Sequence, residues 1–309
     1  MNTLIKNYVA ITIYNVISFF SRVFRKKGNF IFVLGYSRSG TTWLGELLQN
    51  IVKKSVLFDE PLQVQNHKRA VEEGLLNHRV IIQDKQHEIE LNSYLNDVFN
   101  GHAIRPSYAK RTLNNIVKLL SNGTIILKSI RLNIAIDFVQ KFYPKNKIIC
   151  IVRNPFDVVT SQINSSRSWV VKKVPSFYHP VVKSNFDDFP TESLKTPATI
   201  QAFNWSLEHY MLKSKLKSNG NLLLLYYSDM LTNRKKNIMA ICKFLNVEYN
   251  DMYIDLSKTL SKSTAPNSKL NQNEDGFVSS RVELNTKEKE EMEKIFEYFN
   301  YPFREVLNY

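Results

Sequence analysis

Five short segments of the chain are rich in apolar, β-branched and aromatic residues and predict buried strands. They cover residues 30–34, 55–62, 124–128, 148–152 and 222–227. Apolar runs of this length are typical of strands that are covered on both faces of a parallel sheet. The second strand has to end before Pro61, because a proline cannot donate a hydrogen bond to the ladder.

Apolar residues recur at helical spacing between these segments. Leu44, Leu47, Leu48 and Ile51 follow the first strand at i, i+3, i+4 and i+7, which is the stripe of an amphipathic helix. Further helices are predicted near residues 113–120, 132–139, 198–217, 238–245 and 292–299. The alternation of strands and helices predicts an α/β fold with a central parallel sheet and helices on both faces.

Three stretches depart from this alternation. Residues 63–123 are polar and weakly periodic outside the helix near 113–120, so we expect loops that bind the acceptor there. Residues 164–197 are rich in Ser, Lys, Pro and aromatic residues, which is typical of a lid, a binding loop or a disordered excursion. Residues 262–273 are polar and predict a further loop.

The first 28 residues differ in composition from the main domain, which we expect over residues 29–309. Residues 7–21 carry no charge, but this run is shorter than the roughly 20 residues that span a bilayer. A narrow polar stripe and the basic cluster that follows at 22–27 are typical of an amphipathic helix on an anionic membrane surface. The same pattern suits equally well a helix packed on the domain or on a partner subunit. No small-residue cleavage site follows, which disfavours a signal peptide.

The charge and the cysteines limit the partners and the compartment. The 42 Lys and Arg residues against 28 Asp and Glu give a net charge of +14, which indicates an anionic partner. The basic residues are scattered rather than clustered in an arm, so nucleic acid is not expected. Cys150 and Cys242 lie in apolar runs and predict buried free thiols, which fits a reducing, cytoplasmic location.

The turn after the first strand carries the strongest chemical signal. Gly35 and Gly40 bound a loop that leads into a helix, so backbone N–H groups and the helix dipole converge on one phosphate. The glycines have the spacing of the nucleoside-triphosphate P-loop, but Thr41 replaces its lysine and the cation of the loop is Arg38. ATP or GTP hydrolysis is therefore disfavoured, and a nucleotide with a 5′-phosphate and no essential Mg²⁺ is favoured.

Two sequence blocks resemble the motifs of one enzyme family. The segment YSRSGTTW at residues 36–43 resembles the 5′-phosphosulfate loop of sulfotransferases that use 3′-phosphoadenosine 5′-phosphosulfate (PAPS). The segment IICIVRNPFDVVTS at residues 148–161 resembles their 3′-phosphate motif, R-[DN]-P-x-D-V-x-x-S. The blocks occur in the family's order, and the resemblance extends over residues 29–309. It implies a three-layer, P-loop-like α/β fold with PAPS as co-substrate and PAP as product.

The resemblance assigns roles in nucleotide binding to specific residues. Arg38 is expected to contact the sulfonate or the 5′-phosphate, and an arginine there matches the carbohydrate-type members, whereas many cytosolic members have lysine. Trp43 resembles the aromatic residue that stacks on adenine, although a tryptophan in the first turn of a helix is also typical of a core. The full set implied to bind the nucleotide is Arg38, Ser39, Gly40, Thr41, Thr42, Trp43, Arg153, Ser161, Tyr227, Ser280 and Arg281.

The catalytic residues are implied less directly. The cytosolic branch has a histidine base two residues after a lysine at the end of a strand, but Ile130 occupies that position after Lys128. The carbohydrate-type branch instead resembles this chain at FDEPL, residues 58–62, so Glu60 is predicted as the general base, with a structural salt bridge as the alternative. Lys128 is predicted to stabilise charge, with help from Arg131. The histidines show no metal-binding spacing, so no metal is expected.

These observations favour a PAPS-dependent sulfotransferase that acts on a hydroxyl of a carbohydrate or glycolipid. We expect it in the cytoplasm, with peripheral membrane association through the N-terminal helix. The sequence leaves two alternatives: a P-loop-type nucleotide kinase or phosphotransferase, which the missing loop lysine disfavours, and a non-enzymatic basic protein that binds membranes or nucleic acid.

Overall fold

A computed structural model describes most of the main domain. The described residues are 29–63, 79–82, 84–100, 113–121, 123–164, 174, 179–217, 220–258, 270–273, 276–279 and 284–303, together with residues 12, 16, 19 and 20 near the N-terminus. Within these ranges, no helix combines the length and the apolar character needed to cross a membrane.

The central sheet has five parallel strands, as the apolar segments predicted. They are β1 (Phe30–Gly35), β2 (Ser55–Asp59), β3 (Thr124–Ser129), β4 (Lys147–Val152) and β5 (Leu222–Tyr226). Their spatial order is β2-β3-β1-β4-β5, so β1 lies in the middle and pairs with β3 on one side and β4 on the other. All five strands therefore end at the same edge of the sheet. Strands β6 (Leu270–Asn273) and β7 (Gly276–Ser279) form a separate antiparallel pair.

Helices connect the strands and cover both faces of the sheet. In chain order they are α1 (Thr41–Ile51), α2 (Lys85–Phe99), α3 (Leu113–Leu120), α4 (Ile136–Phe142), α5 (Pro155–Ile163), α6 (His179–Asn185), α7 (Pro197–Lys215), α8 (Tyr227–Thr232), α9 (Arg234–Leu245), α10 (Met252–Ser257) and α11 (Thr286–Tyr298). Short 3₁₀ segments lie at Asn133–Ala135 and Thr191–Ser193. The predicted helix after β4 begins as expected, with the side chain of Asn154 accepting from the N–H of Phe156 at 2.9 Å.

Helix α2 lies in a region that the sequence analysis assigned to loops. Its first turns are polar, and its buried residues, such as Leu91, Leu95 and Val98, gather in the second half of the helix. Asp84 caps it by accepting a hydrogen bond from the N–H of His87 at 2.8 Å. Tertiary packing of that half stabilises the helix, for example by the stacking of Phe99 on Phe30 at 3.9 Å between ring centroids. The weak periodicity of residues 63–123 did not predict it.

Two apolar cores separate the sheet from its helical layers. Along β1, Phe30, Phe32 and Leu34 join the core on one face, whereas Ile31 and Val33 join the core on the other. The first core also includes side chains of α2, α5, α7 and α11, and the second includes those of α1 and α9. This arrangement confirms the predicted α/β fold with helices on both faces. Cys150 and Cys242 are buried and free, as predicted.

Candidate active site

The candidate site lies where the parallel strands end. Strand β1 leads into the loop from Tyr36 to Gly40, and the loop leads into α1. Strand β1 lies between β3 and β4, and α/β sheets bind their ligands in the crevice outside the carboxyl ends of such central strands. Arg153 and Tyr227, which follow β4 and β5, contact this loop.

The loop has the geometry of an anion cradle. Arg38 and Gly40 have φ angles of 69° and 91°, both in the left-handed region, and the N–H of Ser39 donates to the carbonyl of Tyr36 at 3.1 Å. Gly40 is the N-cap of α1 and offers no side chain to the first helical N–H groups. Thr41 and Thr42 form the first turn of that helix. The hydroxyl of Ser39 is buried and has no hydrogen-bond partner among the described residues, which fits an incoming phosphate or sulfonate oxygen.

The two predicted nucleotide motifs meet in space. Nε of Arg38 donates to the hydroxyl of Ser161 at 3.0 Å, and Nη1 of Arg153 donates to the carbonyl of Arg38 at 3.1 Å. Arg153 directly follows β4 and Ser161 lies on α5, and both are more than a hundred residues along the chain from the loop. Nε of Arg153 is buried without a hydrogen-bond partner in the described part of the chain. Two guanidinium groups and two hydroxyls therefore share one small region, which suits a nucleotide with separate phosphate groups.

Tyr227 forms a wall of this region. Its ring lies 4.6 Å from the guanidinium carbon of Arg153, which is a cation–π distance. A Cβ atom at Gly40 would lie 2.7 Å from two ring atoms of Tyr227, so the loop can pass the ring only with a glycine there. The predicted strand that contained Tyr227 ends one residue earlier, at Tyr226, because Tyr227 begins α8.

Trp43 has the position of a core residue. It is buried, its indole N–H donates to the carbonyl of Ser257 at 3.1 Å, and its ring meets Tyr227 edge-on at 6.0 Å. Adenine stacking by Trp43 stays a prediction. Ser280 and Arg281, which were predicted to bind the 3′-phosphate, lie outside the described residues.

The other half of the site is a buried group of paired charges. Nζ of Lys128, at the end of β3, lies 2.9 Å from Oε1 of Glu60 and 3.1 Å from Oδ1 of Asp59. Nη1 of Arg131 lies 2.9 Å from Oε2 of Glu60. The backbone N–H of Ile130 also donates to Glu60 Oε1 at 2.8 Å. The predicted base and the predicted charge-stabilising lysine are thus brought together.

These contacts fix the charges of both partners. Burial alone would raise the pKa of Glu60, but Lys128, Arg131 and the Ile130 N–H together outweigh it and hold the pKa below its usual value. Burial would likewise lower the pKa of Lys128, but Glu60 and Asp59 outweigh it and raise that pKa. Both groups are therefore ionised at neutral pH, and Glu60 is a weaker base than a carboxylate in water.

A second buried polar group lies next to the loop, and sequence reasoning missed it. Nε of Arg79 donates to Oε1 of Glu208 at 2.7 Å, and the Arg79 guanidinium carbon is 5.3 Å from the centre of the Tyr36 ring. Nδ1 of His209 donates to the carbonyl of Trp205 at 2.7 Å, and burial lowers the pKa of His209 to about 3. The one sequence feature that could have indicated this group is the run of polar residues at 204, 206, 208 and 209 among the apolar residues of α7.

The comparison with known families decides the class of this site. A family profile described as "Sulfotransferase domain" matches residues 29–294, which is most of the chain. The chain belongs to the sulfotransferase family. The expectation of a PAPS-dependent sulfotransferase is thereby confirmed, and the alternatives of a nucleotide kinase and of a non-enzymatic binding protein are not supported.

Solved structures similar to this sulfotransferase carry the same family description. The "Sulfotransferase Domain from the Curacin Biosynthetic Pathway" is 14% identical, with a TM-score of 0.47 over 90% of this chain and 99% of that one. Sulfotransferase STF1 from Mycobacterium tuberculosis H37Rv is 13% identical, with a TM-score of 0.46 over 92% and 81%. Mouse SULT7A1, complexed with PAP, is 16% identical, with a TM-score of 0.44 over 92% and 87%. A search of curated proteins finds no match to this sequence.

Proposed function

We propose that this sulfotransferase transfers the sulfonate group of PAPS to a hydroxyl of a carbohydrate or glycolipid. The observation that carries the nucleotide part is the contact between the two motifs, in which Arg38 reaches Ser161 and Arg153 reaches the carbonyl of Arg38. The mouse relative was solved with PAP, which supports the same nucleotide here. The carbohydrate class is supported by the arginine in the loop and by the sequence FDEPL.

The residues present fit PAPS by their chemistry. The Ser39 hydroxyl and Arg153 Nε are buried polar groups without protein partners in the described region, so each has a hydrogen bond left for an anion. Arg38, the loop N–H groups and the start of α1 would hold the 5′-phosphosulfate. Arg153 and Ser161 would hold the 3′-phosphate. Lys128 would screen the charge that develops as the sulfonate moves. Glu60 as general base stays a prediction.

A thermal-shift assay tests the nucleotide part. PAP should raise the melting temperature, because it binds the native state, and 5′-AMP should raise it less since it lacks the 3′-phosphate. Arg153→Ala should remove most of the difference between the two nucleotides. Lys147→Ala, which removes a cation at the opposite end of β4, is the matched control. Equal stabilisation by PAP and 5′-AMP in the unsubstituted protein would exclude the 3′-phosphate role.

Transfer itself is tested with PAPS labelled on the sulfonate and a panel of glycans and glycolipids, with phenols and steroid alcohols as the competing class. Label on a glycan or glycolipid hydroxyl is the expected result. Label on phenols or steroids alone would overturn the acceptor class and leave sulfonate transfer intact.

We also propose that the N-terminal helix binds an anionic membrane surface. Residues 12, 16, 19 and 20 are helical, and Val16, Phe19 and Phe20 present 50%, 63% and 44% of their surface to solvent. Apolar side chains at i, i+3 and i+4 followed by basic residues suit a lipid interface. Deletion of residues 1–27 should abolish sedimentation with phosphatidylserine vesicles while PAP still stabilises the domain. Loss of the folded domain on deletion would show that the helix packs on it instead.

A further inference from the structure

Two consecutive carboxylates converge on one lysine at the end of β2. Side chains that follow each other in a strand point to opposite faces, so Asp59 and Glu60 should diverge. Glu60 instead has a φ angle of 57°, a left-handed conformation that is uncommon for a residue with a side chain. The chain therefore turns at Glu60, and both carboxylates reach Nζ of Lys128, at 3.1 and 2.9 Å. Backbone strain of this kind is characteristic of functional sites.

The two carboxylates differ in what they still offer to a substrate. Both oxygens of Glu60 are engaged, Oε1 by Lys128 and the Ile130 N–H and Oε2 by Arg131, and its side chain is 10% exposed. Asp59 approaches Lys128 through Oδ1, which is buried, yet its side chain is 45% exposed. The exposed surface of Asp59 therefore lies on the side of its second oxygen, Oδ2.

We propose that Asp59 is the residue that takes the proton from the acceptor hydroxyl, and that Glu60 is a positioning residue that holds Lys128 and Arg131. This inference rests on the proposed sulfonate transfer. The acceptor oxygen forms a bond to sulfur, the bond from sulfur to the 5′-phosphate oxygen breaks, and its electron pair leaves with PAP. The hydroxyl proton moves to Oδ2 of Asp59, and Lys128, already beside Oδ1, stabilises the negative charge that passes between the groups.

The arrangement explains why two acids surround one lysine. If Glu60 were to take the proton, its carboxylate would have to give up a hydrogen bond from Arg131, Lys128 or Ile130 in a buried position, which is costly. Asp59 can accept a proton on its exposed side without breaking the contacts that fix Lys128. Glu60 neutralises part of the charge of the two cations and keeps Lys128 in place.

Steady-state kinetics of Asp59→Asn and Glu60→Gln in the full chain, over a range of pH and with the acceptor found in the labelled-PAPS panel, test the proposal. Asp59→Asn should lower kcat/KM by about 10²–10⁴-fold, the usual contribution of a general base, and should remove the acid limb of the pH profile. PAP affinity should change little. Glu60→Gln should lower turnover and thermal stability but keep the acid limb, because Asp59 is still present in that variant.

Asp137→Asn is the matched control. Asp137 lies on α4, its side chain is 44% exposed, and it pairs with Lys215 at 3.5 Å, so it has nearly the same exposure and a similar pairing away from the site. Its rate should stay within about twofold of the unsubstituted enzyme, the usual result for a surface pair. An unchanged pH profile in Asp59→Asn, or loss of the acid limb in Glu60→Gln alone, would overturn the proposal. Absence of any transfer by the unsubstituted protein would overturn the proposed function and this inference with it.

Discussion

The two halves of the site differ in the contacts that their cations make. On the β1/β4 side, Arg38 donates to the hydroxyl of Ser161 and Arg153 donates to the carbonyl of Arg38. The carboxylate of Asp157 is 3.8 Å from Arg153, beyond hydrogen-bond distance. On the β2/β3 side, Lys128 and Arg131 contact Glu60, and Lys128 also contacts Asp59, all at 3.1 Å or less.

This difference indicates a division of labour. The Ser39 hydroxyl and Nε of Arg153 are buried without hydrogen-bond partners in the described region, so the β1/β4 side is suited to bind an anion. Cations that are already neutralised bind anions weakly but can be fixed precisely, so the β2/β3 side is suited to chemistry at a moving group. Substitutions on the first side should therefore change PAP affinity, and substitutions on the second side should change turnover.

Among the variants that test the difference between the two sides, Lys128→Ala should give the largest effect and should act on turnover. We expect kcat to fall by about 10²–10³-fold, because charge on the moving sulfonate loses one of the cations that stabilise it. The Kd for PAP should change by less than about threefold, because Lys128 is already paired with carboxylates. Stopped-time assays with labelled PAPS and fluorescence titration with PAP measure the two quantities.

The control for that variant is Lys141→Ala, which removes an exposed lysine paired with Glu88 at 2.7 Å. A large loss of PAP affinity in Lys128→Ala with unchanged kcat would contradict the division of labour.

Lowering the pH should reduce the stability of the fold, because two buried groups bind protons less readily in the native protein than in the unfolded chain. The pKa of His209 is lowered to about 3, so the unfolded chain binds a proton that the native protein excludes, and stability falls as the pH drops from 6.5 toward 3. Glu60, whose pKa is also lowered, contributes stability above about pH 4.5 that is lost below it. We expect a loss of a few kcal/mol, measured by urea unfolding at several pH values.

His209→Gln separates the two contributions. It should flatten the curve between pH 6.5 and 4.5 and leave the decrease below pH 4.5, where Glu60 titrates. Stability that does not change between pH 6.5 and 4.5 in the unsubstituted protein would contradict the burial of a neutral His209.

Gly40→Ala should disturb the β1/β4 side through the backbone. The new Cβ would lie 2.7 Å from the Tyr227 ring, and the φ angle of 91° is unfavourable for alanine. We expect about 1–3 kcal/mol of lost stability and weaker PAP binding, measured by thermal unfolding and titration. Gly220→Ala, where the added Cβ meets nothing within 4 Å, should change stability by less than about 0.5 kcal/mol.

The contact between Arg38 and Ser161 should give the smallest effect. A double-mutant cycle with Arg38→Ala and Ser161→Ala, read as PAP affinity by calorimetry, should show a coupling energy of about 0.5–1.5 kcal/mol, as expected for one hydrogen bond. Strict additivity would show that the two residues bind the nucleotide independently, although their side chains are 3.0 Å apart.

Local sequence determined the strands, most of the helices and the identity of the nucleotide motifs. Apolar runs such as those of β1 and β4 are stable only when they are buried between layers of helices, so their position in the sheet was predictable. The loop after β1 and the capped start of α5 were likewise predictable, because glycine, proline and cap residues act within a few positions of themselves. The family resemblance then followed from the order of two blocks.

Tertiary structure decided the features that depend on distant residues. The strand order β2-β3-β1-β4-β5 places Lys128 between the ends of β1 and β2, and periodicity along the chain contains no information about that order. The pairing of Glu60 with both Lys128 and Arg131 joins residues about 70 positions apart, so the sequence could name Glu60 as a base but not show that its oxygens are occupied. The left-handed turn at Glu60 brings its carboxylate to the lysine that Asp59 already faces across the β2–β3 ladder, and contacts with residues about 70 positions away hold it there.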